Sequence, residues 1–71
     1  MAQRVIITID DQHAAAIDKV AASLKKAGLK DTQVLSSLGI VSGEVDAKHR
    51  SALRKVAGVK AVEDEGEMHA Q

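Results

Sequence analysis

The stretch RVIITIDDQHAAAIDKVAASLKKAGL (residues 4–29) decides the fold, because it joins a strand to a helix through a short connection. The run RVIITI (4–9) is compact and rich in β-branched residues, which predicts a buried strand. Asp10 or Asp11 is suited to cap the helix that follows, and Gly28 is suited to end it in a left-handed conformation. Between them, apolar residues recur at spacings of three and four, which predicts one apolar stripe on a helix. These residues are Ile17, Val20, Ala21, Leu24 and Ala27.

The segment that follows predicts a pair of strands. TQVLSSLGIVSGEV (32–45) contains two short β-type runs around Leu38 and Gly39. Gly43, in the middle of the second run, indicates a bulge or the close approach of another backbone.

The second half of the chain has the same order of strand, helix and strand as the first, without a convincing sequence repeat. AKHRSALRKVAG (47–58) predicts a helix with Asp46 as its N-cap and Gly58 as its stop. VKAVEDE (59–65) alternates between two sets of side chains and predicts the last strand.

The resulting order β-α-β-β-α-β predicts a ferredoxin-like α+β fold, with a four-stranded antiparallel sheet and two helices on one face. We expect residues 1–71 to form a single domain, with 66–71 as an extended C-terminal tail. Nothing in the predicted elements covers the other face of the sheet. Alternate residues of the run 4–9 point to that face, and some of them must be Ile or Val. An uncovered apolar patch of this kind indicates a surface for a partner.

Composition excludes several classes of function. The 71 residues carry a formal net charge of +0 and no aromatic side chains, whereas nucleic-acid binders have a basic excess and aromatic platforms. No stretch approaches the roughly 20 apolar residues of a membrane span. The 0 cysteines fit a reducing compartment, so we expect a cytoplasmic location. The aliphatic core is thin, and we expect a second copy or a partner to complete it.

No residue pattern predicts an enzyme, a metal site or a cofactor. His13, His49 and His69 lack the short spacing of metal ligands, so we interpret them as solvated surface histidines. Ser36 and Ser37 fall in a predicted strand, so we interpret them as ordinary strand serines rather than nucleophiles.

The acidic run Glu63-Asp64-Glu65 leaves two interpretations open, a solvated strand end or a paired-carboxylate site. Adjacent residues of a strand point to opposite faces, so only Glu63 and Glu65 share a side.

The C-terminal run VKAVEDEGEMHAQ (59–71) resembles the end of the subtilisin propeptides and of related free-standing inhibitors, the proteinase inhibitor I9 family. In that family a valine-rich last strand leads into three acids and a six-residue tail. Here Val59 and Val62 precede the three acids, and GEMHAQ (66–71) is the tail.

The resemblance implies a partner and a docking mode. The open sheet face would pack on two surface helices of a subtilisin-like serine protease. Glu63 and Glu65 would then lie at the N-termini of those helices, where unpaired amides and the helix dipole favour carboxylates.

The resemblance also implies roles for the tail, which would add a strand to an edge of the substrate cleft. Gln71 would occupy the primary specificity pocket and Ala70 the small neighbouring subsite. His69 would point largely to solvent, and Met68 would fill an apolar pocket four residues from the end. Gln71 is polar where many propeptides present a larger apolar residue. Since Gln71 is also the last residue of the sequence, we expect action in trans.

Two functions therefore remain open. The first is an inhibitor of, or trans-acting folding assistant for, subtilisin-like serine proteases. The second is a small self-associating ferredoxin-like module that buries its open sheet face in a homodimer and has no protease target.

Overall fold

The computed structural model describes residues 2–65 of the chain. They form four strands and two α-helices, and a 3-10 helix precedes each α-helix. In chain order the elements are β1 (Ala2–Ile9), a 3-10 helix (Ala14–Ala16), α1 (Ile17–Lys26), β2 (Lys30–Leu35), β3 (Ile40–Asp46), a second 3-10 helix (Ala47–His49), α2 (Arg50–Arg54) and β4 (Val59–Asp64).

The strands form one sheet in the order β2-β3-β1-β4, and every neighbouring pair is antiparallel. This α+β architecture is compatible with a ferredoxin-like βαββαβ fold, so the predicted fold class is confirmed.

The core lies between one face of the sheet and the helices. In β1, Val5, Ile7 and Ile9 are buried, whereas the residues that alternate with them are only half-buried. Strands β3 and β4 and both helices contribute to the same apolar cluster, so α1 and α2 pack on the same sheet face. The cluster contains Val5, Ile7, Ile9, Ile17, Val20, Ala21, Leu24, Leu29, Val41, Val45, Leu53 and Val62.

The end of α1 follows the sequence prediction. Gly28 has φ +118°, a left-handed conformation that a residue with a side chain rarely adopts. The Gly28 N–H donates to the Lys25 carbonyl at 3.1 Å, and the Leu29 N–H donates to the Leu24 carbonyl at 3.0 Å. These two bonds satisfy carbonyls that the helix end leaves open, and they bring Leu29 into the core.

The predicted cap of α1 is wrong. Neither Asp10 nor Asp11 caps this helix, because three alanines form a 3-10 turn before it and the N-cap residue is Ala16. The Asp10 carboxylate instead accepts a hydrogen bond from the His13 N–H at 3.0 Å, which closes the turn before the 3-10 helix.

The second helix and the serines also differ from the prediction. Asp46 occupies the N-cap position of the second 3-10 helix, but its side chain makes no capping hydrogen bond. The α-helical part covers only Arg50–Arg54 rather than most of 47–58. Ser36 and Ser37 lie in the turn between β2 and β3 and not in a strand.

Candidate functional site: the open sheet face

The sheet face opposite the helices, which we call the open face, is not covered by any element within residues 2–65. Residues opposite each other in an antiparallel sheet share a face, and Thr8 lies opposite Ile40 on one side and Ala61 on the other. Leu35 lies opposite Ile40 in turn, so these side chains form a row across all four strands. Ile6 lies in the next row. Of the run 4–9, this face receives Arg4, Ile6 and Thr8, so its apolar area is smaller than expected and is formed mainly by Ile6, Ile40 and Leu35.

The opposite end of the open face is charged, and Arg4 is at its centre. The Arg4 guanidinium lies 3.1 Å from the Asp31 carboxylate, 3.2 Å from that of Glu65 and 3.8 Å from that of Glu44. The pKa of Arg4 is raised above its ordinary value, first by the hydrogen bond to Asp31 and then by Glu65, while desolvation acts in the opposite direction. With Glu63, this end carries four carboxylates against one guanidinium and the ammonium group of Lys30, which lies opposite Glu44, so the end is acidic on balance.

The three acids at the end of β4 divide between the two faces. Glu63 pairs with a residue of the open face and is exposed. Asp64 lies on the helix side, where its carboxylate accepts a hydrogen bond from the Arg50 guanidinium. Glu65 follows β4 and returns to the open face, so the prediction that Glu63 and Glu65 share a side is confirmed. The remaining predicted site residues lie outside the described residues: Met68, His69, Ala70 and Gln71.

The histidines have a packing role that sequence reasoning missed. A Cβ atom on Gly58 would lie 3.0 Å from the His13 side chain, and one on Gly28 would lie 3.1 Å from the His49 side chain. Each histidine precedes one helix and packs against the glycine that follows the other helix. The two halves of the fold are therefore held together by reciprocal contacts, and both histidines are only half-exposed.

A sequence signal for this arrangement existed. Each histidine follows an aspartate by three residues, as Asp10 and His13 in the first half and Asp46 and His49 in the second. The His13 Nδ1 atom lies 2.8 Å from the Asp10 carboxylate. This hydrogen bond is the main reason that the pKa of Asp10 is lowered from its ordinary value. Within residues 2–65, no three His, Cys, Asp or Glu side chains lie close enough together to hold a metal ion.

The helix layer has the opposite charge to the open face. The helical segments 14–26 and 47–54 contain six lysines and arginines and one acid, Asp18. The balanced net charge of the chain therefore conceals two surfaces of opposite sign. Neither helix within residues 2–65 is long and apolar enough to cross a membrane.

Comparisons with protein-family models, with curated proteins and with solved structures found no match. Any assignment of function therefore depends on the chemistry of the open face and of the C-terminal sequence.

Proposed function

We propose that this chain is a propeptide-like inhibitor of subtilisin-like serine proteases, with trans-acting folding assistance as a second consequence of the same binding. One observation carries the proposal: Glu63 and Glu65 share the side of an uncovered sheet face at the point where the chain continues into the tail 66–71. That arrangement presents two carboxylates, an apolar row and a potential substrate-like strand to one partner.

The charge of the open face suits the N-termini of surface helices. A carboxylate beside a helix N-terminus gains typically about 0.3–1 kcal/mol at an exposed site, because unpaired amides and the helix dipole face it. Glu63 makes no ion pair within the described residues, so it is available for such a contact. Glu65 is bound to Arg4, which fixes the carboxylate beside the same face.

Self-association through the open face is the alternative function, and the charges support it less well. Two copies stacked face to face would oppose two surfaces that are each acidic on balance. The apolar row between them contains Leu35, Ile40, Thr8 and Ala61, of which only two side chains are large and apolar. A cationic or helix-terminal partner surface fits this face better than a second copy does. The cytoplasmic location stays a prediction.

The experiment is a titration of a subtilisin with the full chain, measured as inhibition of peptide hydrolysis. We expect inhibition at micromolar protein, and loss of inhibition when residues 68–71 are removed while the fold is retained. The double variant Glu63→Gln/Glu65→Gln should raise the inhibition constant about tenfold, as expected for two helix-terminal carboxylates.

Asp11→Asn is the matched control, because Asp11 is an exposed acid away from the open face. It should inhibit as the natural sequence does. A folded sample without inhibition, or a control as impaired as the double variant, would count against the proposal.

A further inference from the structure

The outer edge of β4 is a second surface without a partner. β4 is the last strand in the sheet order, and no strand within residues 2–65 pairs with its outer side. A groove of about 400 Å³ lies there, lined by Arg54 of α2 and by the five consecutive residues 59–63. Side chains of consecutive strand residues alternate between faces, so a groove that touches all five follows the edge of the strand.

The two edges of the sheet are not equivalent. The pairing of β2 with its neighbour is interrupted between Lys30 and Gln33, and Asp31 has φ +53°. Irregularities of this kind protect an edge from pairing with another chain. On β4 the register shifts once, beside Lys60, and is regular from Ala61 to Asp64, which leaves a run of ordered backbone donors and acceptors.

β4 has a positive charge at its start and a negative charge at its end. Two copies of the strand that lie antiparallel would therefore bring opposite charges together. Lys60, at the start of the strand, is exposed and has no partner on β1, because the register shifts beside it. Asp64 is at the other end, on the helix side of the sheet. Only one oxygen of its carboxylate is used by Arg50, so the second can accept another donor.

We propose that β4 pairs antiparallel with β4 of a second copy of this chain, about a two-fold axis at Val62. The two four-stranded sheets then form one continuous sheet. Val62 lies opposite Val62 of the second copy, Ala61 opposite its Glu63, and Lys60 opposite its Asp64.

Two requirements determine the register: residues that lie opposite each other must be on the same face, and Lys60 must pair with an acid. An axis perpendicular to the sheet keeps the helices of both copies on one side, so opposite residues must share a face. Moving the axis to Ala61 places Lys60 opposite Val62, and moving it to Glu63 places Asp64 opposite Val62. The axis at Val62 alone pairs lysine with aspartate, and it does so twice in the dimer.

This dimer is independent of the proposed inhibition, because it uses the strand edge and leaves the open face uncovered. Few residues pair across such an edge, so we expect association at high protein concentration.

The first test is disulfide cross-linking, which is clean because the chain has no cysteine. Ala61→Cys in one sample and Glu63→Cys in another should cross-link preferentially with each other when the samples are mixed and oxidised. Ala61→Cys alone and Glu63→Cys alone should cross-link less, because their partners are not directly opposite. Leu35→Cys on the other edge is the control. The register is wrong if the mixed pair cross-links no more than the control does.

The second test is sedimentation equilibrium over a range of concentrations up to millimolar protein. Lys60→Glu should weaken dimerisation about tenfold, because it replaces two attractive cross-strand pairs by two repulsive ones. Lys55→Glu makes the same change of charge in the turn after α2 and should leave dimerisation unchanged. A natural chain that stays monomeric throughout, or equal effects of the two variants, would overturn the proposal.

Discussion

At the scale of single residues, Gly43 connects a sequence prediction to a specific contact. A glycine in the middle of a strand predicts a bulge or a close backbone approach. The structure identifies the approaching group, because a Cβ atom on Gly43 would lie only 2.7 Å from the Lys30 carbonyl oxygen. That oxygen belongs to β2, which is irregular beside this position. Gly43 therefore allows β2 and β3 to remain close where the regular pairing is interrupted.

Gly43→Ala should lower the free energy of unfolding by about 1–3 kcal/mol, the usual cost of forcing extra volume into a packed site. The loss should be at the upper end of that range, since a backbone atom must move. Urea denaturation measures it.

Gly39→Ala is the comparison, because nothing lies within 4 Å of its Cβ position and only its φ of +69° opposes a side chain. We expect a loss of about 1 kcal/mol there. If Gly43→Ala lowers the free energy of unfolding no more than Gly39→Ala does, the close contact at Gly43 does not affect stability.

At the scale of elements, α2 depends on tertiary packing. It is five residues long, and Leu53 is its only buried residue. Isolated helices of this length are unstable in water, so tertiary contacts must hold it. These are the burial of Leu53 and the hydrogen bonds from the Arg50 guanidinium to Asp64 and Gln3. The sequence predicted a longer helix, with Asp46 as its N-cap and Gly58 as its stop. The α-helix instead ends at Arg54, and the chain turns through residues 55–58 before β4 begins at Val59, with Gly58 at φ +96°.

Leu53→Ala should lower the free energy of unfolding by about 2–5 kcal/mol, the range for a large-to-small change in a core. Because Leu53 is the only buried residue of α2, the amides of this helix should lose protection before those of β1. Hydrogen exchange followed by NMR measures both effects.

Arg54→Ala changes the next residue, which is exposed and makes no ion pair within residues 2–65. Its effect on stability should stay within about 0.5 kcal/mol. Protection of α2 that is unchanged in Leu53→Ala would show that another contact holds the helix.

At the scale of the whole molecule, the separation of charge sets what each surface can bind. At the acidic end of the open face, Arg4 contacts three of the four acids, which offsets the repulsion between their carboxylates. The helical segments are basic, so the two faces of the sheet differ in charge although the chain has a formal net charge of +0. A partner with a cationic surface is attracted to the open face, and a copy of that face is repelled.

Arg4→Gln should destabilise the fold, because it removes the cation that contacts Asp31, Glu44 and Glu65 and leaves Lys30 beside four carboxylates. The difference from the natural sequence should shrink as sodium chloride is added, since salt screens repulsion between exposed charges. Thermal unfolding at low and high salt measures this.

Lys19→Gln removes the same charge from the basic helix layer and should not destabilise the fold in this way. A deficit in Arg4→Gln that is independent of salt would assign the role of Arg4 to packing and not to charge.

The sequence by itself determined the order of the elements, the antiparallel α+β fold, the apolar stripe of α1 and the shared side of Glu63 and Glu65. These features follow from local periodicity and from glycines at helix ends, which act over a few residues. The D-x-x-H pair before each helix is a local pattern of the same kind.

Only the tertiary structure decided the contacts between distant parts of the chain. Arg4 reaches Asp31, 27 positions away, and Glu65, 61 positions away, because strand order and register bring three strands to the same place. The packing of each histidine on the glycine of the other half has the same origin. Local sequence patterns carry no information on strand order or exact register, so they cannot specify contacts that depend on both.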